Sequence, residues 1–170
     1  LAAVGAYGAE GVANGVTITP GALNGVAGQV AADPNQPLTY AHGAFTANVI
    51  ATFDTSVSGS LAVTVGHEGA HAAHRQALAA AATADHNALT GGFNLTRYET
   101  EFRAFTVSSL VAQGLGLSNL NFGGHAVWNA GWRPADIQTL RSNGINQHLR
   151  TGPHYRVTPE NQGPRLYPVQ

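Results

Sequence analysis

The chain has 170 residues, 44% hydrophobic and 10% charged, with a formal net charge of −1 and an isoelectric point near 6.8. A chain of this length can bury a sizeable core as one domain, and residues 1–170 are expected to form a single soluble unit: a Gly/Ala-rich segment at 1–43, a core at 44–150 and a Pro-rich tail at 151–170. Its eight basic residues are all arginine and are scattered among nine acidic ones, so no basic stripe exists for a phosphate backbone, and no stretch approaches the about 20 apolar residues of a membrane span.

Cysteine is absent, which removes thiol nucleophiles, disulfides and cysteine-held zinc together. Any metal must be held by His and carboxylate. Methionine is absent too and the chain opens at Leu1; the expectation is a processed or excised piece of a longer product, with any export signal outside it.

In chain order, Gly15-Val16-Thr17-Ile18-Thr19-Pro20 alternates apolar and polar residues and reads as a short strand among loops. The run from Ala44 to Phe53 is β-branched and aromatic and reads as a second strand, closed by turn residues. Alanine density then predicts a helix from about Ser60 to Thr83, capped by Ser58 or Ser60, with Gly66 and Gly69 weakening it by about 1 kcal/mol each. After a loop at 84–94, a second helix is predicted over Leu95 to Gln113, its stripe formed by Leu95, Tyr98, Phe102, Phe105 and Ser109. Pro134 suits the first turn of a third helix, Ala135 to Arg150, and the tail from Gly152 reads as irregular. No internal repeat is evident, and the whole reads as an α+β domain.

His67-Glu68-Gly69-Ala70-His71 is an HExxH sequence on the first of these helices. Two histidines four residues apart lie about 40° apart around a helix axis and one turn apart along it, so both imidazoles can reach a single zinc ion. Glu68, about 100° round from His67, is offset from that stripe and can take a proton from a metal-activated water. Eight His and five Glu placed at random would give this pattern with a frequency on the order of 1%.

A catalytic zinc normally takes three protein ligands. His74 shares the face but stands about 10 Å from His67, too far to join the pair on one metal; it reads as a supporting or polar-face residue. The metzincin pattern would need glycine at position 74 and histidine at position 77, where the sequence has His74 and Ala77. Asp85, Glu99, Glu101, Asp136 and Glu160 are the acidic residues that follow. Measured from Leu95, the apolar stripe of the second helix centres near about −20°, Glu99 lies at about +40° and Glu101 at about −120°. Glu99 is therefore the expected third ligand, against the alternative of an ordinary Glu99 to Arg103 pair.

These residues resemble the gluzincin group of zincins, especially the compact minigluzincins, in which HExxH on one helix is followed about 25 to 45 residues later by a Glu ligand on a second. Tyr98-Glu99-Thr100-Glu101-Phe102-Arg103-Ala104-Phe105 resembles their E-x-E-A-D-x-F-A type of ligand helix and places the metal-binding residue at Glu99, with Phe102 where Ala is usual and Arg103 where Asp or Asn is usual. The resemblance covers about residues 44–112. It implies a zincin-like, mostly helical fold with a small sheet or edge strand beside the HExxH helix, the segment at 44–53 being that edge strand, and a zinc metallopeptidase acting on a protein or peptide. Such peptidases need a donor for the tetrahedral oxyanion; His154 and Tyr155 are the candidates, with His125 a third.

The Gly-Val-Ala-Asn-Gly-Val-Thr-Ile-Thr opening together with His-Glu-Gly-Ala-His resembles metallopeptidase toxin domains at the C-termini of bacterial secretion effectors, such as VgrG-type spikes and Rhs-like proteins of type VI secretion. That implies a chain secreted or delivered into a target cell, the periplasm being one destination, and a cognate immunity protein. Two alternatives stay open: a non-hydrolytic zinc-binding or adaptor module, and a zinc amidase acting on cell-wall peptide. Trp128 and Trp132 read as core anchors; His42, His86 and His148 have no evident partners.

Overall fold

A computed structural model describes residues 2–57 and 59–167. In chain order the elements are α1 (Ala2–Gly5), β1 (Val16–Pro20), β2 (Gly28–Ala32), β3 (Leu38–Ala41), β4 (Ala44–Ala47), β5 (Val49–Phe53), α2 (Leu61–Ala84), a 3-10 turn (His86–Leu89), α3 (Arg97–Gly114), β6 (Asn119–Phe122), β7 (His125–Asn129) and α4 (Ile137–Thr151). This is an α+β domain, with three separate small sheets around two long helices.

The run at 44–53 is two strands, not one. Asn48 interrupts it: its side chain donates to the Gln36 carbonyl at 2.9 Å and to Thr39 Oγ1 at 2.6 Å, and its backbone turns the chain between sheets. β4 pairs antiparallel with β3, while β5 becomes the centre of a three-stranded sheet ordered β1-β5-β2, parallel to β1 and antiparallel to β2. The edge strand beside α2 is therefore β2, which lies outside the segment expected to supply it. Its residues, Gly-Gln-Val-Ala-Ala, carry too little β-branched character to announce a strand.

α2 lies between that sheet and α3. On one side Ala72 packs with Val49 and Ala6; on the other Val63 packs with Ala112 and Trp128. Gly66 and Gly69 cost intrinsic helix propensity, and the packing shows what they permit. A Cβ at Gly66 would stand 2.9 Å from Val111 Cγ2 on α3, and one at Gly69 would overlap the Ala3 backbone carbonyl of α1. Small residues at these points let both neighbours approach the HExxH turn. Ser60 occupies the N-cap position without a side-chain cap bond; Ser58, the other expected cap, lies outside the described residues.

α3 begins at Arg97, two residues later than expected, because Thr96 caps it through a capping box with Glu99. Phe105, Val127, Ile145, Leu149 and Val157 form a second core between α3, β7, α4 and the tail. Pro134 precedes the Asp136 N-cap of α4 instead of opening its first turn. Trp128 is buried with its indole donating to the Leu117 carbonyl at 2.7 Å, and Trp132 packs at 6.2 Å between ring centroids, so both act as core anchors. The tail lacks regular structure, but it is strapped across the start of α3. The amides of Arg97 and Tyr98 donate to Pro164 and Gln162 carbonyls at 2.7 and 2.9 Å, satisfying donors that a helix N-terminus leaves free.

Candidate metal centre

Histidines four apart on α2 present both imidazoles to α3, and α3 answers with Glu101. His67 Nε2 lies 3.2 Å from His71 Nε2, and Glu101 Oε2 lies 3.6 and 3.5 Å from the two nitrogens. These three atoms form a nearly equilateral triangle. Tetrahedral ligands held about 2.0 to 2.1 Å from zinc stand about 3.3 to 3.4 Å apart, so His67, His71 and Glu101 can hold such an ion with little adjustment. They also form a group of metal-capable side chains among the described residues.

The hydrogen bonding of His67 agrees. Ser108 Oγ donates its only proton to the Ala104 carbonyl at 3.2 Å, so at 3.1 Å it accepts from His67 Nδ1. That fixes His67 with a bare Nε2 facing the centre of the triangle. Glu101 Oε2 is buried with no hydrogen-bond partner among the described residues, an arrangement that is costly unless a cation completes it. Burial pushes the Glu101 carboxyl up, but the two histidines more than reverse this and hold it well below the usual carboxylate range. Burial likewise pushes His71 down, and Glu101 and Glu68 overcome it, leaving His71 above its ordinary value.

Glu99 is placed elsewhere. Its carboxylate turns back on its own helix terminus and accepts from the Thr96 amide at 2.8 Å and from Thr96 Oγ1 at 3.0 Å, while its amide donates to Thr96 Oγ1. The carboxylate that the structure brings beside His67 and His71 is thus Glu101, where Glu99 was expected. Leu95 lies before the helix and so does not mark its buried face, which consists of Thr100, Ala104, Phe105, Ser108, Ser109 and Ala112. That small, partly polar face centres near about −120° on the same wheel, where Glu101 sits. The sequence did hold a signal: Thr96-Arg97-Tyr98-Glu99 is a capping-box pattern, which assigns Glu99 to the helix end.

Glu68 is buried on the neighbouring face of α2, beneath the edge strand. A Cβ at Gly28 of β2 would stand 2.8 Å from Glu68 Cγ, so glycine is what lets β2 lie over this carboxylate. Burial pushes the Glu68 carboxyl up, with the histidines partly offsetting this. A cleft of about 600 Å³ joins Glu68 to His67, His71 and Glu101, and is walled by Gly28, Gln29 and Val30 of β2, by Arg97 and Thr100 of α3, and by His154 and Tyr155 of the tail. Its lining therefore extends on both sides of the 44–150 segment.

Both expected tail residues reach the cleft, and they differ. His154 is exposed, and its carbonyl accepts from Arg97. Tyr155 packs its ring edgewise on Phe105 and His148, and burial, with the Glu101 and Glu68 charges, pushes its hydroxyl up, keeping it a proton donor. His125 stands away from the cleft, 3.1 Å from Thr151 Oγ1. His74 faces a second hollow with Arg103, and burial, with the His71 and Arg103 charges, lowers it to about 4. His86 packs against Tyr40 and Phe45, His148 against Phe105 and Phe122, and His42 occupies the β3–β4 turn at φ 52°.

Across the described residues no helix is long and apolar enough to cross a membrane. Comparison of the chain with protein-family models, with curated proteins and with solved structures gave no match.

Proposed function

We propose that this domain is a zinc-dependent peptidase of zincin-like architecture, with His67, His71 and Glu101 as the metal-holding set. The observation that carries the reading is the 3.2, 3.5 and 3.6 Å triangle of metal-capable atoms opening into the same cleft as a buried Glu68. Zinc at such a site supplies Lewis acidity that makes a water nucleophilic near neutral pH and polarises a carbonyl.

The chain's own residues supply the rest. Glu68, with a carboxyl pushed upward by burial, accepts the proton of the attacking water and returns it to the departing amine; a raised pKa suits both transfers. Tyr155 keeps its hydroxyl proton and donates it to the oxygen on which negative charge develops. Among the described residues the edge strand β2 has β5 as its one strand partner, so its other edge can pair with an extended peptide and lay the scissile bond along the cleft. Peptide bonds, rather than small amides, are favoured by that strand and by the volume of the cleft, about 600 Å³.

The test is hydrolysis of a broad peptide mixture, followed by mass spectrometry, with zinc-loaded parent and Glu68→Gln. The parent is expected to cleave and Glu68→Gln to lose about 10²- to 10⁴-fold in rate while keeping its zinc. Zinc-loaded parent that cleaves nothing would leave a metal-binding module.

A further inference from the structure

The metal triangle occupies one end of the cleft, and three arginines gather at the other. Arg75 lies four residues after His71 on α2, and Arg97 lies four residues before Glu101 on α3. Partners of α2 from Gly66 to His71 run backward along α3, from Val111 through Ser108 to Glu101, so the helices are antiparallel and both arginines fall at the same end of the site. Arg165 joins them, because the tail bridges Arg165 to Thr96, next to Arg97. All three line the cleft.

None of the three forms an ion pair among the described residues, where Arg133 is the arginine that does. Their contacts aim the guanidinium groups without neutralising them. Arg97 donates to the His154 carbonyl and Arg165 to the Asn94 carbonyl. Arg75 lies 5.7 Å over the Tyr167 ring, with Nε and Nη1 buried and unpartnered. Arg75 is half-buried while Arg97 and Arg165 are exposed; buried donors left without a partner, as on Arg75, are costly in isolation and gain strongly from a carboxylate that accepts from them. The three guanidinium groups outnumber the two carboxylates that line the cleft, Glu68 and Glu101.

We propose that this arginine end selects substrate by a carboxylate close to the bond that is cut. Four helical residues place it about 6 Å from the metal-holding level, the span of about two residues of extended peptide. The carboxylate is an acidic side chain or a chain terminus within that reach. This inference rests on the peptidase reading for what the cleft does next, but the binding step stands by itself.

The experiment measures binding of three N-acetylated alanine hexapeptides to zinc-loaded Glu68→Gln protein by calorimetry: one amidated with a central Glu, its Gln twin, and one without Glu but with a free C-terminal carboxylate. At least one carboxylate peptide is expected to bind about tenfold or more tightly than the Gln twin, and which one does identifies the source. The preference should shrink as salt is raised to about 0.5 M, a readout that leaves the arginines untouched. It should vanish in Arg75→Gln/Arg97→Gln and survive in part in Arg75→Lys/Arg97→Lys. Equal affinities, or a preference that persists without the arginines because the carboxylate sits on the metal, would overturn the proposal. A preference in a protein whose zinc-loaded parent cleaves nothing in the broad peptide mixture would sink the peptidase reading alone; hydrolysis there without preference here would sink the arginine site alone.

Discussion

Glu99 and Glu101 are the same residue type two positions apart on α3, and their surroundings divide the work between them. The first turn of the helix has unsatisfied amides, and Glu99 is consumed in closing it with Thr96. One turn on, the backbone satisfies itself, so Glu101 is free to point across the helix interface, where two histidines meet a carboxylate oxygen with no hydrogen bond of its own. A carboxylate near a helix start is claimed by the terminus before it is available to a site. The comparison also separates two kinds of histidine on α2: His67 and His71 complete the triangle, while His74, on the same helix, faces a different hollow.

The contrast can be broken at four points. Tyr155→Phe leaves both carboxylates in place and removes only a donor from the metal side; kcat is expected to fall by about 10²- to 10³-fold with zinc content unchanged, and a rate within twofold of the parent would move the oxyanion donor elsewhere. Ser108→Ala removes the acceptor that holds His67 with its bare nitrogen inward. Zinc affinity should drop about 10- to 100-fold in a competitive chelator titration, and no change would mean that the tautomer is set by other contacts.

His74 tests the boundary of the triangle through pH. Its pKa is lowered from 6.5 to about 4 in the folded chain, so the unfolded chain binds the extra proton between those values. Stability should therefore be whole above pH 6.5 and fall as pH drops toward 4, by about 2 kcal/mol after allowing for partial exposure. His74→Gln should flatten that part of a urea-melt pH series; an unchanged slope would show that His74 does not titrate this way. The smallest effect belongs to Glu99→Ala, expected to cost about 1 kcal/mol of stability in the same melts with no loss of zinc.

Much of the centre was legible in the sequence because it is local. Helix spacing alone sets His67 beside His71 and Glu68 on the neighbouring face, and α2 formed within a residue of its expected bounds. The carboxylate that meets the two histidines was not legible, because it depends on which face of α3 is buried. Large apolar residues suggested the stripe of Tyr98 and Phe102, yet those side chains pack against the second core at its margin, and α2 meets α3 through Glu101, Phe105, Ser108, Val111 and Ala112, a mixed face that apolar periodicity does not single out. The edge strand was hidden for a similar reason. Gly28 is required by the closeness of Glu68, and glycine is what a strand pattern is least expected to contain. Tyr155 reaches the cleft because tail carbonyls cap α3, a contact between residues more than 60 apart in sequence that no local pattern encodes.

The most direct test of the account is zinc content, by elemental analysis after equilibrium with a weak chelator, in the parent, Glu99→Ala and Glu101→Ala proteins. The account predicts near one zinc per chain in the parent and in Glu99→Ala, and loss of zinc in Glu101→Ala with its fold intact by circular dichroism. Zinc lost from Glu99→Ala and retained by Glu101→Ala would contradict it.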